Sequence, residues 1–442
     1  MAKQKKELSI GRKIFNGVAL AALLGGLLFL GGKYGGEFSQ AQALGPLETK
    51  LAEKGLPTPA IVQKNLGEGS PVGPHLAEMR RLIERERQVG TDAQMARWER
   101  DRAVKLLTEN APFTNLVVKT AESGRYETGV NYLDSDFRTN DVDGLPYMMV
   151  EVSAHAAKAK ILSGEYEQAI EYGQNARKIL NLLAKAPFTT TLITFAKGVE
   201  TSNRYLMEAL DQSRNKPEAV KAVKEILSVE LEKIPASKAA LYELYLVRLR
   251  ARDMGSDAQK YHLTISNWFG GESELEHAEI YKNISGGPKA PALVEIHVLR
   301  QMTPLVDQIV ALDNDANGIA RAIEQFRAGL PTDAAPGMDA ILPLIFTVEL
   351  DGMRALMMAQ DREAMAQEIV RMMEKHGGAF PASWEFEAKP RPGRQFTYSR
   401  TGDGFSMGSV AASGDGQQYW YRFPMREVTM QMEMPAAGGG GG

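Results

Sequence analysis

The sequence predicts a mainly α-helical protein: a single N-terminal transmembrane helix, an array of α-helical hairpins of tetratricopeptide-like character, and a small C-terminal antiparallel β element. Three observations carry that fold class. An uncharged apolar run extends from Ile14 to Gly32. Between about residues 75 and 376, segments with apolar residues at helical spacing follow one another, separated by short breaks. Last, Phe396–Val410 reads "FTYSRTGDGFSMGSV", which alternates with period two on both sides of an Asp-Gly turn.

The elements follow in chain order. Residues 1–13 form a basic tail: Lys3, Lys5, Lys6, Arg12 and Lys13 stand against Glu7 alone. Residues 14–32 are apolar all round, with Asn16 as the one strongly polar side chain. At 1.5 Å per residue the run nearly spans a hydrocarbon layer of ~30 Å. Basic residues before it place that end in the cytoplasm and the bulk of the chain outside. The expected location is the inner (cytoplasmic) membrane, single-pass, with residues 14–32 as the membrane partner. The rival reading is a cleaved signal peptide. The small-x-small triplet Ala41–Ala43 lies well beyond the apolar run, which favours an uncleaved anchor.

Residues 33–74, rich in Gly, Pro and Gln with one short helical run near Leu47–Lys54, read as a flexible linker. Residues 75–376 read as the helical array. Its clearest unit is Val152–Leu183, two helices joined at Ser163–Gly164, where Gly164, Tyr166, Ala169 and Ala176 fit the second half of a tetratricopeptide pattern. Leu106–Leu116 and Asn181–Leu192 both contain Ala-Pro-Phe-Thr, which predicts buried corner phenylalanines at Phe113 and Phe188. The run from Ile341 to Gly377 reads as helix, turn at Gln360–Asp361, and helix. Residues 377–434 read as the β-hairpin element. Its hydrophobic residues Phe396, Tyr398, Phe405, Val410, Tyr419 and Tyr421 need a surface, because a lone hairpin is marginal in water; the last helix is the nearest. Residues 435–442, ending in glycines, read as a disordered tail.

Hydrophobic residues make up 44% of the chain, enough for a substantial core. The net charge of −3 gives no electrostatic ground for a nucleic-acid partner. The absence of cysteine excludes disulfides, Cys-ligated zinc, iron–sulfur clusters and thiol catalysis. The histidines His75, His155, His262, His277, His297 and His376 form no His-Glu-x-x-His pair. Glu274, Glu276 and Glu279 are spaced for a hard cation or for a solvated helix face. Met430, Met432 and Met434 lie on one side of a strand, as Cu(I) ligands or as an apolar face. No nucleotide loop or hydrolase elbow is present. The sequence assigns no catalytic, cofactor-binding or metal-binding residue and no cofactor.

"LPYMMVEVSAHAAKAKILSGEYEQAIEYGQNARKIL", "APFTTTLITFAKGVETSNRYLMEAL" and "EKHGGAFPASW" followed by "GRQFTYSRTGDGFSMGSVAASGDG" carry a resemblance. Together they resemble uncharacterised membrane-anchored proteins of planctomycete and verrucomicrobial type, whose end is similar to the C-terminal part of type II secretion pseudopilins. The resemblance implies a helix-plus-small-sheet ending, in which Asp403 and Asp415 are candidate calcium ligands or, as residues beside Gly, turn-formers. A prepilin peptidase site is missing before the span, and the pseudopilin ending is degraded to "GSVAASGDG". The resemblance implies no activity. The expected function is an envelope-anchored helical scaffold that binds a protein or peptide without catalysis. The other classes are an envelope hydrolase with a carboxylate site and a divergent pseudopilin-like assembly component.

Overall fold

A computed structural model describes residues 42–66, 81, 107, 109–123, 140–185, 187–256, 291–331, 339, 341–346, 348–391, 393–411 and 419–425. Among the described residues there are twelve helices and three strands. The helices are α1 (Leu44–Glu53), α2 (Pro59–Leu66), α3 (Ala111–Ser123), α4 (Asn140–Ser163), α5 (Tyr166–Leu183) and α6 (Thr189–Ser213). They continue with α7 (Pro217–Leu227), α8 (Ala236–Ser256), α9 (Pro291–Leu312), α10 (Ala316–Ala328), α11 (Ile341–Ile345) and α12 (Asp351–His376). The strands are β1 (Arg394–Thr401), β2 (Gly404–Ala411) and β3 (Tyr419–Phe423). The protein is mainly helical with a small antiparallel sheet near its end. No described helix is long and apolar enough to cross a membrane. The predicted span 14–32, the tails 1–13 and 435–442, and the first part of the array lie outside the described residues.

Helix boundaries follow local chemistry. Pro217 opens α7 with its fixed φ, and Glu218 places a negative charge in the first turn. Asp315 caps α10 by accepting from Gly318 N at 3.0 Å. Gly377, at φ 57°, ends α12 in the left-handed region that favours glycine. The turn at Ser163–Gly164 is where the sequence puts it, with Gly164 at φ 84°.

Helices α4, α6 and α12 lie side by side, and α5 and α7 pack behind them. Close approach depends on absent side chains. A Cβ on Gly198 of α6 would stand 2.4 Å from Leu180 of α5, and one on Gly173 of α5 would stand 2.7 Å from Ile226 of α7. A Cβ on Gly352 would meet the Thr189 backbone at 2.5 Å, so the starts of α6 and α12 touch. A second group, α8 to α11 with α1, packs around α8 and α9. Phe113 and Phe188 are both 1% exposed, as the corner reading expects. Phe188 caps α6 and stands edge-on to the Tyr242 ring at 5.2 Å, whereas Phe113 lies inside the first turn of α3.

The structure corrects three expectations. Residues 33–74 are not a free tether throughout. Leu51, Leu56 and Val62 enter the main core, and Glu48 pairs with Arg248 at 2.7 Å, with Lys54 on Asp307. The predicted turn at Gln360–Asp361 is absent: α12 runs unbroken through it. Asp361 there is a buried anchor, accepting from Arg391 at 2.8 and 2.7 Å and from Ser409 Oγ at 2.9 Å. The β element has three strands, not two, in the order β1-β2-β3.

The sheet docks on α12 through one face. Phe405, Met407, Tyr421 and Phe423 are buried there with Ile369 and Met373. Phe396 and Tyr398 share that face; Val410 pairs with Gln395 on the opposite one, since side chains alternate along a strand. Glu368 secures the connecting segment, accepting from Trp384 Nε1 at 3.0 Å, Glu387 N at 2.9 Å and Ala388 N at 2.7 Å.

Candidate functional site

α4 and α6 share a polar strip. On α4, Tyr147, Glu151, His155 and Lys158 fall at i, i+4, i+8 and i+11, which is one helix stripe. On α6, Thr201, Arg204, Tyr205 and Glu208 face them. Tyr147 Oη and Thr201 Oγ1 are 3.3 Å apart. The His155 and Tyr205 rings meet edge-on at 5.0 Å. Lys158 donates to Glu208. Partner numbers rise together along both helices, so α4 and α6 run parallel, as the first helices of successive hairpins do. Arg362 of α12 extends the face by pairing with Glu200 of α6.

Cations flank the Tyr205 ring: the Arg204 guanidinium at 5.1 Å and Lys158 Nζ at 5.6 Å from its centroid. Burial raises the Tyr147 and Tyr205 phenols above their ordinary values. Burial also pushes the Glu151 carboxyl up, against the pull of the Arg204 charge. Phenols, a carboxylate, an imidazole and two cations therefore converge on a half-buried strip between parallel helices. Such a strip can donate and accept hydrogen bonds and stack on planar groups.

No protein-family model, curated protein or solved structure matches this chain.

A different polar cluster lies deep in the core. Glu243 of α8 accepts from Thr189 N at 2.7 Å and so satisfies the first turn of α6 from another helix. Arg250, two turns further along the same face of α8, donates to Ile345 O at 3.1 Å. Burial drives the Glu243 carboxyl up to about 7 and the Arg250 guanidinium down to about 10. In both, desolvation outweighs their mutual attraction. This cluster is closed off and serves the junction of α6, α8 and α12.

The residues weighed in the sequence are scattered. His155 is on the α4–α6 face. His297 is 3.1 Å from Asp339, and Gln301 donates to the same carboxylate at 3.0 Å. His376 stands edge-on to Trp384 at 6.0 Å. Asp403 is exposed in the β1–β2 turn. His75, His262, His277, Glu274, Glu276, Glu279, Asp415, Met430, Met432 and Met434 lie outside the described residues. Among the described residues no three His, Asp or Glu side chains are grouped to hold a metal ion. Sequence reasoning missed Tyr147, Glu151, Arg204 and Tyr205. The one available signal was the i, i+4, i+8 spacing of Tyr147, Glu151 and His155 on α4.

Proposed function

We propose that the chain is a membrane-anchored helical scaffold of the cell envelope, and that it binds a protein or peptide partner on the α4–α6 face. The anchor is the apolar run 14–32, with the basic tail in the cytoplasm and the helical body outside. The observation that supports partner binding is the stacking itself: α4 and α6 adjoin as the parallel first helices of the α4–α5 and α6–α7 pairs, α12 packs beside α6, and the strip they share carries aromatic and charged residues in register. Solenoids of stacked hairpins use such continuous surfaces for recognition.

Two measurements test the reading. A reporter fused after Gly442 is expected to be active only outside the cytoplasm; activity inside overturns the envelope assignment. A photo-crosslinker at Lys197, exposed on the α6 stripe, is expected to trap a partner in native membranes. The same group at Lys221, 77% exposed on α7 behind the stack, is expected not to. Equal or absent crosslinking at the two positions removes the scaffold reading.

A further inference from the structure

Docking of α1 shortens the chain between the apolar run and the helical body. Residues 33–43 alone separate Gly32 from Leu44, where α1 begins. Fully extended, at ~3.6 Å per residue, that stretch reaches about 40 Å. A flexible chain of the same length spans ~17–20 Å on average. An anchor at residues 14–32 therefore holds the body by one particular end.

Ion pairs identify that end. Arg248, late in α8, binds Glu48 near the start of α1 at 2.7 Å, and it also binds Glu295 near the start of α9. Lys54, just past α1, pairs with Asp307, late in α9. α1 thus runs along α9 in the same direction. α8 runs the opposite way, since Ser237 N in its first turn donates to Asp313 O, just past α9, at 2.8 Å. The starts of α1 and α9 and the last turns of α8 share one end of the group.

The sheet lies toward the opposite end. Thr189, whose N–H Glu243 accepts in the middle of α8, donates through Oγ1 to Glu349 O, just before α12, at 3.1 Å. Further along α12, Gln360 donates to Ile234 O, just before α8, at 3.4 Å. α12 therefore runs from the middle of α8 past its start, away from the start of α1. With 26 residues it is ~39 Å long. β1 runs the same way. Arg391 and Ser409 donate to Asp361 in the middle of α12, whereas Phe405, beside the β1–β2 turn, meets the Phe380 ring beyond the end of the helix at 4.8 Å.

We propose that the end formed by the starts of α1 and α9 and the last turns of α8 faces the lipid surface, and that the body stands with the β1–β2 turn of its terminal sheet directed away from the bilayer. This rests on residues 14–32 being the anchor and adds the orientation of the body upon it.

The chain has no cysteine, so a single introduced cysteine takes a label at one site. Ala292→Cys marks the start of α9, and Asp403→Cys marks the exposed β1–β2 turn. Thr49→Cys, at an exposed site early in α1, gives a second reading of the near end. Each full-length variant, carrying a donor dye, is reconstituted into phosphatidylcholine vesicles with an acceptor dye on the headgroups. Energy transfer is expected to be at least ~3-fold greater from positions 292 and 49 than from position 403, because a helix ~39 Å long lies between them. Wild-type thermal midpoints show that the labelled chains are folded. Equal transfer from the near and far positions, or more from position 403, overturns the orientation while the anchor and the scaffold reading stand. A chain that fails to float with the vesicles overturns the anchor, and the orientation with it.

Discussion

The buried Glu243 makes stability depend on pH. Its carboxyl moves from 4.5 to about 7 in the folded chain. At 1.36 kcal/mol per tenfold change in proton affinity, the folded state holds this proton more tightly by about 3 kcal/mol. The folded pKa is raised above the unfolded one. Its contribution is therefore fully present below about pH 4.5 and is lost as pH rises through about 7. Between pH 5 and pH 8 the wild-type chain should lose about 2–3 kcal/mol relative to Glu243→Gln, which keeps an acceptor for Thr189 N but cannot ionise. The assay is urea unfolding followed by circular dichroism at several pH values, for both proteins. The comparison cancels every other titrating group, including Arg250, which stays protonated across this window. Parallel stability curves for the two proteins would refute the reasoning, and so would a variant whose relative stability falls as pH rises.

Truncating the corner rings tests the core directly: Phe113→Ala and Phe188→Ala should each cost about 3–5 kcal/mol by denaturant unfolding, and near-neutral values would contradict their burial. Asp361→Asn leaves Arg391 and Ser409 without their shared anion, so a loss of about 3–5 kcal/mol is expected, with faster amide exchange in β2 than in α4. Unchanged exchange in β2 would show that Asp361 does not hold the sheet. Gly352→Ala drives a methyl into the Thr189 backbone and should cost about 1–3 kcal/mol, whereas Gly45→Ala, with nothing within 4 Å, should be neutral or stabilising in the same thermal melt.

Patterns local to the chain were legible. Gly164 marks the α4–α5 turn, and the alternation from Phe396 marks β1 and β2, because a turn glycine and a two-residue period act over a few residues. What depended on distant partners was not. Leu51, Leu56 and Val62 sit among prolines and glycines and resemble a tether until α8 and α9 supply the surface they pack on. Asp361 after Gln360 looks like a turn, and becomes a helix residue because Arg391 and Ser409 neutralise its burial. The third strand was visible only as the aromatics Tyr419 and Tyr421. Glu151 and Arg204 are 53 positions apart, and only the parallel register of α4 and α6 brings them to one strip.

The bond between Arg177 and Glu363 spans 186 residues, and Arg177 is fully buried once it forms. A ribosome adding about 5–20 residues per second needs roughly 10–40 s to synthesise that interval. Throughout that time α5 and α6 exist without α12, and Arg177 has the Val229 carbonyl but no carboxylate to answer it. The chain therefore carries a built-in delay between making the middle of its stack and closing it.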